Sequence, residues 1–163
     1  MRRSLVQVGE RFLPFLTLLV LSCEGGPSAP EGRVEGQTAF FNGVFVTPIV
    51  FHLAWGGSAE IQPAPGFRFT TIEVLYANDT TASRTYDGRA FRLRTEDGRF
   101  WDPLRAGRTP ILESGTLIPG ERVSGWLTFE IPETIAATGL VWIPRPFVTL
   151  TIPIQTDFPK FPL

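Results

Sequence analysis

The chain has 163 residues, of which 15 are basic and 16 acidic, with one cysteine and one histidine. This length suits one domain whose core can fold without disulfides, and a single cysteine excludes an intramolecular disulfide framework. Because the formal net charge is only −1, the composition lacks the basic footprint of a nucleic-acid-binding protein, and we expect no nucleic-acid partner.

The first 22 residues are typical of a secretory signal. Arginines at positions 2, 3 and 11 precede the apolar run FLPFLTLLVL, which is too short to span a bilayer as a helix. Cys23 follows where the cleavage site is expected. This order resembles a bacterial lipoprotein signal, which implies that Cys23 carries a lipid and becomes the mature N-terminus. We therefore predict a signal peptide at 1–22 and attachment to a bacterial membrane, with no cofactor apart from this lipid.

Residues 23–36 are predicted to form a flexible tether after the lipidated cysteine. The segment EGGPSAPEGRVEG is rich in Gly, Pro and Glu and has scarcely any large apolar side chain, so it cannot bury enough surface to fix its own structure. The composition changes at Gln37, and we place the folded domain at 37–163.

The domain shows the pattern of a β-rich protein, with short alternating runs separated by turn residues. Asn42-Gly43 lies between two aromatic, β-branched runs and predicts a hairpin. The segments 67–77, 91–94 and 123–131 each read as a strand, the last two flanked by Asp-Gly and Pro-Gly turns. Closing strands near 140–143 and 147–154 are bounded by prolines, which favour an edge position.

About eight or nine strands with turns at roughly ten-residue intervals predict an antiparallel β-sandwich. A small closed barrel is the alternative, because periodicity alone does not separate the two folds. In the strand at 123–131, Leu127, Phe129 and Ile131 share the apolar face. Trp126 falls on the opposite face, which we expect to be exposed.

Three segments in order carry a family resemblance: FRFTTIEVLYAND (67–79), AFRLRTEDGRFW (90–101) and LIPGERVSGWLTFEIPE (117–133). Together they resemble the immunoglobulin-like extracytoplasmic domains of unknown function that are common in bacterial lipoproteins, a family sometimes labelled telomeric-repeat-binding-factor-like. The resemblance implies an immunoglobulin-like sandwich outside the cytoplasm. It offers no catalytic residues to transfer, and a fold does not by itself define an activity.

The polar candidates for catalysis or metal binding are sparse. His52 lies in an apolar strand with no cysteine outside the lipid box to share a metal, and Ser114 and Ser124 lack the Gly-x-Ser-x-Gly context of a nucleophile elbow. Four loop acids (Asp79, Asp87, Asp97 and Asp102) lack calcium-loop spacing. We therefore predict no metal site and no enzyme, and keep a hydrolase based on loop carboxylates as an alternative.

Tryptophans are the remaining candidates for recognition. The chain has four (Trp55, Trp101, Trp126 and Trp142), and such side chains either pack in a core or serve as contact points for a partner. Trp126 is the candidate ligand-binding residue, because its position opposite the apolar face predicts exposure. The sequence thus favours a lipid-anchored, non-enzymatic module that binds an envelope protein, with a small-ligand or metal carrier as a further alternative.

Overall fold

The computed structural model describes residues 32–154, and it is all-β apart from one turn of 3-10 helix at Gly88–Ala90. The signal peptide, Cys23 and most of the predicted tether lie outside these residues. The strands are β1 (Arg33–Glu35), β2 (Thr38–Phe41), β3 (Val44–Trp55), β4 (Phe67–Asn78), β5 (Arg84–Asp87), β6 (Phe91–Thr95), β7 (Phe100–Trp101), β8 (Ser114–Leu117), β9 (Arg122–Pro132), β10 (Ala137–Arg145) and β11 (Val148–Pro153).

Two antiparallel sheets form a sandwich, which confirms the predicted fold class over the barrel. One sheet has the order β1-β2-β3-β4-β9 and the other β11-β10-β6-β7, while β5 and β8 form a separate pair. The structure has more strands than the eight or nine predicted. The additional ones are short and include RTYD and SGTL, which lack the apolar alternation that makes a strand visible in sequence.

Aromatic and branched side chains from both sheets fill the core. Trp142 of β10 is fully buried and packs edge-on against Tyr76 and Phe41, with ring centroids 5.6 and 6.4 Å away, and it stacks on Phe91 at 6.5 Å. The alternation predicted in β9 is also correct, because Leu127, Phe129 and Ile131 all belong to this core. Burial of such large side chains is the main favourable contribution to folding.

Turn chemistry sets the strand register. Asn42 and Gly43 both have positive φ, 50° and 72°, as a two-residue type I′ hairpin requires, and Phe41 pairs with Val44 across the turn. The predicted hairpin is therefore confirmed. Gly120, with φ of 79°, occupies the position after Pro119 that favours glycine in a type II turn.

Two sequence expectations differ from the structure. β1 begins at Arg33, inside the segment predicted as tether, because Val34 packs against the core and β1 pairs with β2. Of the two closing strands predicted near an edge, β11 is an edge strand, but β10 lies between β11 and β6. Its proline does not interrupt pairing, because Pro144 falls in the irregularity between the paired residues Trp142 and Arg145.

Asn78 joins the loops at one end of the sandwich, which we call the Asn78 end. Its buried side-chain Nδ2 donates to the carbonyls of Ala82, Leu117 and Ile118 at 2.9–3.1 Å. Its Oδ1 accepts from the backbone N–H and the hydroxyl of Thr80. The side-chain amide of Asn78 is thus fully used inside the fold.

Candidate binding surface

The loop at 102–113 covers the free edge of β9. The backbone N–H of Leu104 donates to the carbonyl of Thr128 at 2.8 Å, and the N–H of Trp126 donates to the carbonyl of Pro110 at 2.7 Å. Leu112 N–H returns a hydrogen bond to the carbonyl of Trp126, and Ile111 forms an isolated parallel bridge with Trp126. Backbone groups that would otherwise face solvent are therefore paired.

Gly107 allows this loop to lie against the outer face of the sheet. A Cβ placed there would be 2.1 Å from Thr128 Oγ1, far inside van der Waals contact. Thr128 Oγ1 in turn accepts a hydrogen bond from the backbone N–H of Arg108 at 3.1 Å. This contact holds the Arg108 guanidinium above the Trp126 ring, with Cζ 3.9 Å from the ring centroid, a short cation–π distance.

Trp126 lies on the face opposite the core, as its alternation predicts, but the expectation that it is exposed is wrong. Only 7 % of the residue is accessible, because Arg108 covers one side of the ring and His52 approaches it with ring centroids 5.5 Å apart. A strand's alternation identifies which face a residue takes. It does not reveal that a distant loop covers that face.

His52 is exposed and belongs to this aromatic arrangement. It lies on β3 and Trp126 on β9, so their contact passes over the intervening β4, where Thr71 pairs with both His52 and Thr128. Thr71 is completely buried and its hydroxyl has no hydrogen-bond partner. The role of His52 visible here is packing against Trp126.

An open groove of about 540 Å³ lies beside this cluster, between the loop at 56–61 and the loop at 107–109. Trp55 contributes to its lining and packs against Phe69 with centroids 5.7 Å apart. Arg108 lines the other side and Glu60 the rim. The groove thus offers a partly buried indole, a cation and a carboxylate, a combination suited to recognition of a partner.

The other two candidate tryptophans, Trp142 and Trp101, pack within the fold. Trp142 is in the core, as described above. Trp101 is half-buried in β7, and its Nε1 donates to Thr95 Oγ1 at 3.2 Å. Of the four tryptophans, therefore, Trp55 and Trp126 are associated with the outer face of the five-stranded sheet, and only Trp55 lines its groove.

The four loop aspartates are exposed and each has a local role. Asp87 Oδ1 accepts from the backbone N–H of Arg89 and from the Ser114 hydroxyl, and Asp97 Oδ1 accepts from the Thr95 hydroxyl. The remaining contacts join Asp102 to Arg92 at 3.0 Å and the backbone N–H of Asp79 to the carbonyl of Gly43.

These hydrogen bonds keep carboxylates charged. The Arg89 N–H, followed by the Ser114 hydroxyl, lowers the pKa of Asp87 below its usual 3.8. The Thr95 hydroxyl is the main cause of the lowered pKa of Asp97. A general acid needs the opposite shift. Ser114 donates to Asp87 and Ser124 is exposed in β9, and neither is near His52 in the strand register.

Within residues 32–154, no three His, Cys, Asp or Glu side chains come together in a way that would hold a metal ion. The same part of the chain contains no helix long and apolar enough to cross a membrane. The Asp87–Ser114 pair lines another open depression, of about 410 Å³, together with Arg89, Arg105 and Glu113.

The fold and the covered outer face define an antiparallel β-sandwich domain with a loop-built groove on one sheet. The chain belongs to the family described as Domain of unknown function (DUF4352), whose model matches residues 36–148. No curated protein matches the sequence. Like the family that the sequence resembles, this family has no known function. Its description does not mention telomeric repeats.

Several solved structures share the fold at low identity. The yjhA protein of Bacillus subtilis is 19 % identical, with a TM-score of 0.51 over 77 % of this chain and 96 % of that one. The secreted protein MPT63 of Mycobacterium tuberculosis is 16 % identical, with a TM-score of 0.51 over 77 % and 92 %. The ycdA protein of Bacillus subtilis, described as a "putative lipoprotein", is 13 % identical, with a TM-score of 0.61 over 78 % of this chain and 41 % of that one.

Proposed function

We propose that this protein is a lipid-anchored, non-enzymatic binding module of the bacterial envelope, exposed outside the cytoplasm. Cys23 carries the anchor and the groove beside Trp55 and Arg108 receives the partner, which we take to be an envelope protein. The module requires no metal or organic cofactor. The observation that carries this proposal is the groove itself, because the loop at 102–113 builds a mixed aromatic and charged surface there.

The surroundings of the polar side chains support binding over catalysis. A hydrolase based on loop carboxylates would bring two acids into one cleft and raise the pKa of one of them. Here Asp87 and Glu113 line one depression, but the pKa of Asp87 is lowered, as is that of Asp97. Asp102 is paired with Arg92. The lipoprotein-like order of arginines, apolar run and Cys23 supports the anchor, and a secreted protein among the fold's other members is consistent with this location.

The anchor is tested by metabolic fatty-acid labelling of the native chain and of Cys23→Ala. Two or more acyl chains hold a protein far more firmly than one. We therefore expect label and membrane association in the native chain, and an unlabelled species that is unprocessed or soluble from the variant. Equal labelling of both chains would disprove the assignment of Cys23.

The groove is tested by photo-crosslinking in intact cells. A crosslinking amino acid is placed at Ser58 or Thr109, which both line the groove, and as a control at Thr149, an exposed position on β11. We expect a discrete protein adduct from the groove positions, absent from the control and weakened at least tenfold by Arg108→Ala. Adducts that are equal at all three positions, or unchanged by Arg108→Ala, would contradict the proposal.

A further inference from the structure

Phe147 occupies an unusual position at the tip of the β10–β11 hairpin. Arg145 pairs with Val148, so Pro146 and Phe147 form a two-residue turn. The backbone φ of Phe147 is +66°, a left-handed conformation that suits glycine or asparagine and is unfavourable for a bulky side chain. Its side chain is fully exposed to solvent. An aromatic residue here therefore strains the turn and gains no burial within the domain.

The N-terminal segment enters the domain beside this hairpin. Gly32 lies against β11, and a Cβ there would be 2.9 Å from Leu150 Cδ2. Arg145 connects the hairpin to the Asn78 end, because its guanidinium lies 5.3 Å from the ring centroid of Phe41, directly before the Asn42-Gly43 turn. The exposed aromatic ring and the start of the domain are thus at the same end of the sandwich.

The chain between Cys23 and Gly32 is short. The nine Cα–Cα steps from Cys23 to Gly32 reach at most about 32 Å when fully extended. A lipid on Cys23 would therefore keep the Asn78 end close to the bilayer, where even a weak contact with lipid forms at high effective concentration.

Exposed arginines lie at the same end of the domain as Phe147. The guanidinium groups of Arg33 and Arg122 lie over Phe40 and Phe45, at 4.7 and 5.8 Å, as that of Arg145 lies over Phe41. Arg33 also pairs with Glu35 at 2.7 Å, and the exposed acids Asp79 and Glu121 lie in the loops of the same end, so the positive charges there are largely balanced. Arginine binds lipid phosphate through several donors, and an aromatic ring is favoured at the headgroup level of a bilayer.

We propose that the Asn78 end docks on the surface of the membrane to which Cys23 is anchored, with Phe147 entering the interface and Arg145 binding lipid phosphate. This inference rests on the proposed lipid anchor. Docking would fix the domain's orientation, so that the β3–β4 loop and the groove it lines face away from the bilayer. The unfavourable backbone conformation of Phe147 then places its ring in contact with lipid.

The test uses the full chain in intact cells, with benzoylphenylalanine replacing Phe147. The matched control carries the same amino acid at Phe100, another exposed phenylalanine, 54 % accessible, which pairs with Arg94 toward the opposite end of β6. After illumination, we expect lipid adducts from position 147 at least fivefold more abundant than from position 100. Circular dichroism of both purified variants verifies that they fold.

The outcomes separate this inference from the anchor on which it rests. Fatty-acid labelling of the same chains reports on Cys23. Acylated chains with equal or no lipid adducts at positions 147 and 100 would overturn the membrane-docking surface and leave the anchor intact. A predominant protein adduct at position 147 would also overturn it and identify this end as a protein interface. Unlabelled chains would overturn both proposals.

Discussion

At the scale of single residues, Asn78 shows how one buried amide can hold two loops together. It contributes both donors and its acceptor to partners within the fold. The strand predicted at 67–77 ends directly before Asn78, which is the last residue of β4 in the structure. The sequence did not reveal the network, because the carbonyls of Leu117 and Ile118 are 39 and 40 residues away along the chain.

Replacing Asn78 with Ala should destabilise the protein by about 2–4 kcal/mol, since buried carbonyls and the Thr80 groups lose their partners. The measurement is the free energy of unfolding from chemical denaturation. Asp79→Ala is the matched control, because Asp79 is exposed and only its backbone N–H donates to Gly43. A similar loss of stability in both variants would show that the Asn78 network contributes little.

Tyr76 predicts a dependence of stability on alkaline pH. Burial in the core raises its pKa to about 12 from the usual 10, so the folded protein keeps a proton that the unfolded chain releases. The stabilisation is fully present below pH 10 and is lost as the pH rises to about 12. The loss amounts to about 2–3 kcal/mol, at 1.36 kcal/mol for each pKa unit.

Tyr76→Phe tests this because it retains the ring and removes the ionisable group. The variant and the native chain are compared by urea unfolding at pH 8 and at pH 11.5. We expect the native chain to lose more stability than Tyr76→Phe over this interval, with a difference of about 2 kcal/mol. Parallel losses would contradict the assignment of the alkaline transition to Tyr76.

At the scale of elements, the loop at 102–113 determines the character of the outer face. Its fit depends on Gly107, because any side chain there would meet Thr128. The sequence contained only a weak signal for this arrangement. Gly107 reads as an ordinary loop glycine, and contacts between a loop without periodicity and a distant strand leave no local pattern. That is why the exposure of Trp126 was predicted wrongly.

Gly107→Ala should displace the loop, since the added Cβ is fixed to the backbone and cannot rotate away. We expect a loss of stability of about 1–3 kcal/mol and greater accessibility of Trp126, seen as increased quenching of tryptophan fluorescence by iodide. Gly56→Ala is the control, because its Cβ would meet nothing within 4 Å. Unchanged quenching in Gly107→Ala would show that the loop tolerates a side chain there.

The two faces of β9 give a further prediction. Phe129 is fully buried in the main core, and its replacement by Ala should cost about 3–5 kcal/mol through lost burial and the cavity left behind. Ser124→Ala, at an exposed position of the same strand, should change the stability by less than about 0.5 kcal/mol. Thermal denaturation of both variants provides the comparison. Equal midpoints would show that the buried and exposed faces of β9 are wrongly assigned.

At the scale of the whole molecule, turn residues made the sandwich predictable. Asn42-Gly43, Asp97-Gly98 and Pro119-Gly120 separate alternating strands, and sequence reasoning located each of these turns. The short strands and the order of strands within the sheets were not predictable, because they depend on pairings between distant segments. The location of the groove was equally hidden, since it is built by two loops that follow different strands.

The cover over β9 also has a consequence for solubility. An uncovered edge strand can pair with the edge of another molecule and start an ordered aggregate. Here the N–H of Trp126 and the carbonyls of Trp126 and Thr128 already bind the loop at 102–113, so the middle of the longest edge of the five-stranded sheet is already paired. The segment that shapes the outer face thereby also keeps neighbouring copies from joining sheet to sheet, which matters most for molecules concentrated on one surface.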